Sequence, residues 1–191
     1  MAKASAYGFR YVRHLRPGVE KPATLEVILA NDAVVAIGES VKWNAGYLIP
    51  CPADAAQLGV LVGIVTEKGE NVFKTNEAHG GTISGDEKFT AGAANATSQK
   101  VKGVVIVDRD ALFEATNADS LGQAEVGLWF LGIANTNTGM DGTTGTGASW
   151  GVGTQDWQLV ELVTTDLDGS AVTTKGLFKI GRSQLLNDVT A

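Results

Sequence analysis

Apolar residues in this chain come in short runs broken by turn-forming residues, without the sustained three-to-four-residue spacing of an amphipathic helix. Residues 25–30 are rich in strand formers and end at Asn31-Asp32, which supplies turn chemistry. Three shorter apolar pieces follow at 34–37, 41–43 and 47–49. Gly38-Glu39-Ser40 and Asn44-Ala45-Gly46 separate them, the spacing of tight antiparallel connections and hence of a meander. Pro50-Cys51-Pro52 then interrupts the ladder, because proline lacks the backbone donor a central strand requires; residues 53–57 suit one helical turn. Residues 58–67 read as a strand buried on both faces, with Gly59 and Gly63 allowing close backbone approach or a bulge, and Lys68-Gly69-Glu70-Asn71 as the turn after it. Further strands are predicted at 103–108, 112–116, 157–163 and 176–180, and 123–133 forms another apolar stretch carrying Trp129 and Phe130.

Two segments break this rhythm. From 76 to 100 the residues are mainly Gly, Ala, Thr, Ser and Asn, with Ile83 and Phe89 the only large apolar anchors, which predicts a surface excursion with little regular structure. The tract at about 134–156, including Thr143-Thr144-Gly145-Thr146-Gly147, can bury almost nothing and predicts an exposed loop. No fixed-period repeat or heptad emerges. The expected fold is therefore all-β: an antiparallel sandwich or barrel of short strands with long Gly/Thr-rich loops. An N-terminal arm at 1–24 precedes a single β-rich domain at 25–191.

Composition fits that picture. With 191 residues, 44% hydrophobic and 19% charged, the chain is long enough for one domain burying roughly 70% of its unfolded surface. Cys51 is the only cysteine, which excludes an intramolecular disulfide or a cysteine-based metal site. Met1-Ala2-Lys3-Ala4-Ser5-Ala6 is not followed by the apolar stretch of a secretory signal, so a cytoplasmic product is expected. The most apolar run, 59–65, is far shorter than the ~20 residues that span a bilayer.

Charge changes the reading of the N-terminus. The net charge is −6, but residues 1–21 hold Lys3, Arg10, Arg13, Arg16 and Lys21 against Glu20 alone (5 − 1 = +4), leaving ten basic and twenty acidic residues (−10) in the body. Tyr7, Phe9, Tyr11, Val12 and Leu15 are interleaved with these cations. The mixture suits docking on a folded acidic protein surface, in preference to binding nucleic acid; packing of the arm on its own domain is the third alternative. Tyr7, Phe9, Arg10, Tyr11, Arg13 and Arg16 are the candidate contact residues.

Catalytic constellations were sought. His14 and His79 stand in unrelated contexts, and the serine contexts lack the Gly-x-Ser-x-Gly elbow. The glycine-rich 142–147 stretch lacks the Lys-Ser/Thr of a phosphate loop, and Asp166-Leu167-Asp168-Gly169 suits a hairpin turn better than a calcium loop. Asp108, Asp110 and Glu114 lie close enough in sequence to raise paired-carboxylate glycoside hydrolysis. Trp43, Trp129, Trp150 and Trp157 raise a sugar-stacking platform, with Trp150 the exposed member and core packing the use of the other three. Asn95-Ala96-Thr97 matches a glycosylation sequon, set aside for want of a secretory signal. The expectation is a protein that is not an enzyme, with no cofactor and no metal.

The order of several blocks resembles a family of tailed-phage virion proteins, the head decoration or cement subunits. Those blocks begin with Tyr7-Gly8-Phe9 with Arg10 and Arg13, the run from Val34 to Val41, apolar residues and then Ile-Gly-Glu-Ser-Val, and Leu58-Gly59-Val60-Leu61-Val62-Gly63. They continue through Val104-Val105-Ile106-Val107-Asp108, Leu112-Phe113-Glu114-Ala115, Ala124-Glu125-Val126-Gly127 and Asn135-Thr136-Asn137-Thr138-Gly139. Gln158-Leu159-Val160-Glu161-Leu162-Val163, Leu177-Phe178-Lys179-Ile180 and Ser183-Gln184-Leu185 close the set, so the resemblance spans nearly the whole chain. The sequence departs from the pattern at Asp108-Arg109-Asp110, where a proline is usual, and in the Gly/Thr-rich 140–153 region. The resemblance implies a subunit made in the host cytoplasm that binds the outer surface of the assembled capsid. Its partner would be the major capsid protein, its assembly a homotrimer at or near threefold positions, with no direct nucleic acid and no membrane contact. The alternative reading is a carbohydrate-binding β module on a virion or cell surface.

Overall fold

The computed structural model describes residues 8–52, 55–77, 79–84, 88–116, 120–130, 157–165, 171–181 and 183–185. They form antiparallel sheets of short strands, the sandwich alternative and not a closed barrel. Sheet A contains β1 (Arg10–His14), β10 (Ala111–Thr116), β13 (Ala171–Ile180), β12 (Trp157–Thr165) and β11 (Trp129–Phe130), in that spatial order. Sheet B orders β2 (Thr24–Ile28), β9 (Lys102–Ile106), β6 (Gly59–Val65), β4 (Ser40–Asn44) and β5 (Tyr47–Pro50). A small sheet C joins β3 (Val34–Ala36), β8 (Lys88–Thr90) and β7 (Thr82–Ser84).

Sheet B is the middle layer, and the period-two alternation of its strands explains why. Leu61 and Val105 face one core together with Val35 and Phe89 of sheet C. Their chain neighbours Val60 and Ile106 face a second core with Phe113, Trp157, Leu159, Phe178 and Ile180 of sheet A. Strands apolar on both faces read as continuous hydrophobic runs, which is what 59–65 does. Close approach is built in at Gly59, where a Cβ would lie 1.9 Å from the Ile106 carbonyl oxygen. The register shifts between Leu61 and Gly63 against β9, a bulge. The β4–β5 hairpin turns on Ala45 and Gly46, both with positive φ (49° and 86°), the geometry of a tight two-residue connection.

Several expectations are corrected. The arm drawn at 1–24 is, from Gly8 on, part of the body: β1 is the edge strand of sheet A, paired with β10. Its aromatic side chains, Phe9 and Tyr11, turn inward, which no free arm could offer. The 76–100 segment is not an irregular excursion. It contributes β7 and β8, buries Phe89 completely, and continues into a π-helical turn, Asn95–Gln99, stitched to the core by buried Asn95. Ile83 and Phe89 are opposite one another in the β7–β8 register, so two anchors in a polar composition suffice for a pair of three-residue strands. In place of the helical turn at 53–57, of which Ala53 and Asp54 lie outside the described residues, Gln57 makes an extended bridge to Ser183. The turn at 68–71 leads into a single helical turn, Val72–Thr75, whose first amides bond to the Asn71 side chain. The apolar stretch 123–133 gives a 3-10 turn, Gln123–Glu125, and β11. The loop at 134–156 and the hairpin turn at 166–169 fall outside the described residues.

Candidate functional site

The described candidate contact residues lie on and around β1, and the structure assigns each of them a partner within the chain. Tyr7 lies outside the described residues. Phe9 is buried, stacked on Trp157 at a centroid distance of 3.7 Å and edge-on to Phe113 at 6.2 Å. Tyr11, half-buried and paired with Phe113 in the β1–β10 register, is also edge-on to it at 6.2 Å. The Phe9 amide donates to the Gly38 carbonyl at 2.8 Å, tying this segment to the turn between β3 and β4. Phe9 is thus an internal anchor and not a surface available to a partner.

The cations sit on carboxylates of the body. Arg10 reaches both oxygens of Glu114 at 3.1 Å, Arg13 pairs with Glu161, and Arg16 pairs with Asp110 at 2.6 Å. The register between β1 and β10 shifts between Tyr11 and Arg13. This bulge at Val12 keeps both Arg10 and Arg13 on the outer face and turns His14 inward. The charge asymmetry between the N-terminal segment and the body was therefore the signal for these pairs, but it pointed to packing on the chain's own domain.

His14, Asp108 and Asp110 form the one cluster of potential metal ligands found among the described residues, their ligand atoms within 4.8 Å of one another. Its hydrogen bonds define it as a structural knot. His14 Nδ1 accepts the Arg16 amide at 2.9 Å, so the ring's proton sits on Nε2 and is donated to Asp108 Oδ2 at 3.0 Å. Asp108 Oδ2 also accepts the Ala23 amide at 3.3 Å, and Oδ1 accepts that of Asp110 at 3.0 Å. Burial pushes the Asp108 carboxyl up, but the amides of Asp110 and Ala23 and the His14 bond outweigh it and hold it below its ordinary value. A cation at this point would need the Nε2 lone pair and Asp110, of which the first carries a proton and the second is held by Arg16. The same bonds occupy the carboxylates considered above for glycoside hydrolysis: Asp108 holds His14, Asp110 holds Arg16, and Glu114 holds Arg10.

The other sequence candidates are dispersed. Of the tryptophans, Trp157 is in the second core, its Nε1 buried without an acceptor among the described residues. Trp43 and Trp129 are half-buried on different sheets, and Trp150 lies outside the described residues. Asn95, the sequon residue, is fully buried and donates to the carbonyls of Leu29 and Val101 at 2.7 and 3.1 Å, so the folded chain does not present it for modification. His79 approaches Glu77 at 3.5 Å.

Beside its exposed charges, the N-terminal stretch also offers apolar side chains outward. Val12, Leu15, Val19 and Leu25 are 36–42% exposed and make up four of the six exposed large hydrophobic residues among those described. The first two were visible in sequence as residues interleaved with the cations, whereas Glu161 and Trp157 carried no signal linking them to the arm. Searches with protein-family profiles, curated proteins and solved structures find no match to this chain.

Proposed function

We propose that this chain is a capsid decoration protein, binding the major capsid protein on the outer surface of an assembled tailed-phage head as a homotrimer and stabilising the shell. The ordered blocks shared with decoration subunits motivate the reading, and the observation that carries it is the four exposed apolar residues Val12, Leu15, Val19 and Leu25 within one short segment of an antiparallel sandwich. Contiguous exposed apolar patches mark interaction surfaces, and Leu15 and Val19 are exposed within one short loop. Leu15 and Val19 flank the Pro17-Gly18 turn, and residues 15–21 are all exposed, so this loop projects from the body. Arg10, Arg13 and Arg16 are already paired with carboxylates, which suits a protein surface better than a row of phosphates. The docking loop is accordingly Leu15 to Lys21, with Phe9 and Tyr11 holding its base.

A ligand that binds only the assembled shell stabilises it by mass action, and a specific contact needs on the order of 800 Å² per partner. The test is co-sedimentation of the purified chain with phage heads that lack it. Saturable binding by the intact chain is expected, weakened about tenfold or more when Leu15 and Val19 are both changed to Asp, as befits anchor residues. Both are exposed, so circular dichroism of the variant should be unchanged. Absence of saturable binding to heads from every phage encoding such a chain would refute the assignment.

A further inference from the structure

The turn between β3 and β4 joins elements of all three sheets, and it contains a buried acid. The Gly38 amide donates to the Leu61 carbonyl at 2.7 Å, the Leu61 amide donates to the Glu39 carbonyl at 2.9 Å, and the Gly38 carbonyl holds the Phe9 amide. Glu39 is 5% exposed. Its Oε2 accepts the Ala36 amide at 3.0 Å while its own amide donates back to the Ala36 carbonyl at 3.2 Å. The charge facing it is Lys88 of β8, whose Cα is opposite Ala36. Phe9, Leu61 and Ser40, which reach the turn from the N-terminal segment, β6 and β4, do not titrate.

We infer that the Gly38-Glu39 turn is a proton-controlled joint, which clamps the Phe9 anchor when Glu39 is protonated and releases it when Glu39 is ionised. An ionised carboxylate in this position is short of solvent, and its route to water is outward. That movement gives up the Ala36 amide and swings the Gly38 peptide, whose two polar groups hold Phe9 and Leu61. Burial pushes the Glu39 carboxyl up to about 7, with the Ala36 amide and Lys88 pulling back only in part. Between the ordinary value of 4.5 and about 7 the folded chain holds a proton that the unfolded chain has released, so stability falls as pH rises through this window. The joint therefore tightens on acidification and loosens above neutrality.

Amide hydrogen exchange by NMR on the full chain tests this, read as protection factors that remove the intrinsic pH dependence. From about pH 5.5 to about pH 8.5, protection at Phe9 should fall about tenfold or more with a midpoint near the Glu39 value. Glu39→Gln should make the Phe9 profile flat. Lys88→Met removes a charge that favours the ionised form and should move the midpoint upward, a reading that remains if Glu39→Gln does not fold. Identical pH profiles at Phe9 in the wild type and Glu39→Gln, or a midpoint indifferent to Lys88→Met, would overturn the inference. Neither outcome depends on capsid binding.

Discussion

Asn95 shows how much a single polar side chain can organise. Its amide nitrogen donates to Leu29 and Val101 and its Oδ1 accepts the Val101 amide at 2.9 Å, so one side chain closes the π-helical turn onto the residues that follow β2 and precede β9. Asn95→Ala strands the Val101 amide in the core and should lower stability by about 3 kcal/mol in urea unfolding, since each unsatisfied buried group costs roughly 1–3 kcal/mol. Asn31 makes a comparable bond to the Ala96 amide at 2.8 Å but from an exposed position. Asn31→Ala should therefore cost no more than about 1 kcal/mol, and equal losses would contradict the accounting. Little of this was legible in sequence. Asn95 stands in a polar run that reads as loop, and only the fold brings Leu29 and Val101 to it. Glu39 was equally silent, because Gly-Glu-Ser is turn chemistry whether or not the acid is buried.

At the level of elements, β1 separates two kinds of attachment. Phe9, immediately before it, stacks on Trp157, whereas its outward face holds ion pairs such as Arg13 with Glu161, both more than half exposed. Burial of an aromatic ring is worth several kcal/mol, whereas an exposed pair contributes about 0–1 kcal/mol. Phe9→Ala should cost about 3 kcal/mol and make residues 8–16 susceptible to proteolysis. Arg13→Ala should change stability by less than about 1 kcal/mol, and a larger loss there than at Phe9 would reverse the proposed hierarchy. Strand existence was the most legible feature: 25–30, 47–49, 58–67 and 103–108 each overlap an observed strand, though three of them overran its ends, because apolar runs bounded by Gly, Asn and Pro have few other ways to bury themselves. The basic-aromatic run at 7–16 carried the right pattern, aromatic and cation alternating, but alternation cannot say whose sheet a strand joins. Its destination was set by Glu114, Glu161 and Trp157, remote in sequence.

For the whole molecule, the decisive arrangement is that one sheet serves two cores. Adjacent residues of β6, Val60 and Leu61, and of β9, Ile106 and Val105, face opposite ways, so neither core can lose its packing without exposing the back of strands that hold the other. The acidic body and the basic N-terminal segment add a second link, because Asp108 grips both His14 and Ala23, the two ends of the exposed loop between β1 and β2. These couplings predict one cooperative unit despite three sheets. Calorimetry should give a single transition whose van't Hoff and calorimetric enthalpies agree. Leu61→Ala in the first core and Phe178→Ala in the second should each lower that one transition by about 5–15 °C, as losses of roughly 2–5 kcal/mol require in a chain of this size. If the chain instead melts in two steps, with Leu61→Ala moving only one and Phe178→Ala only the other, sheet B is not the shared layer that its alternation implies.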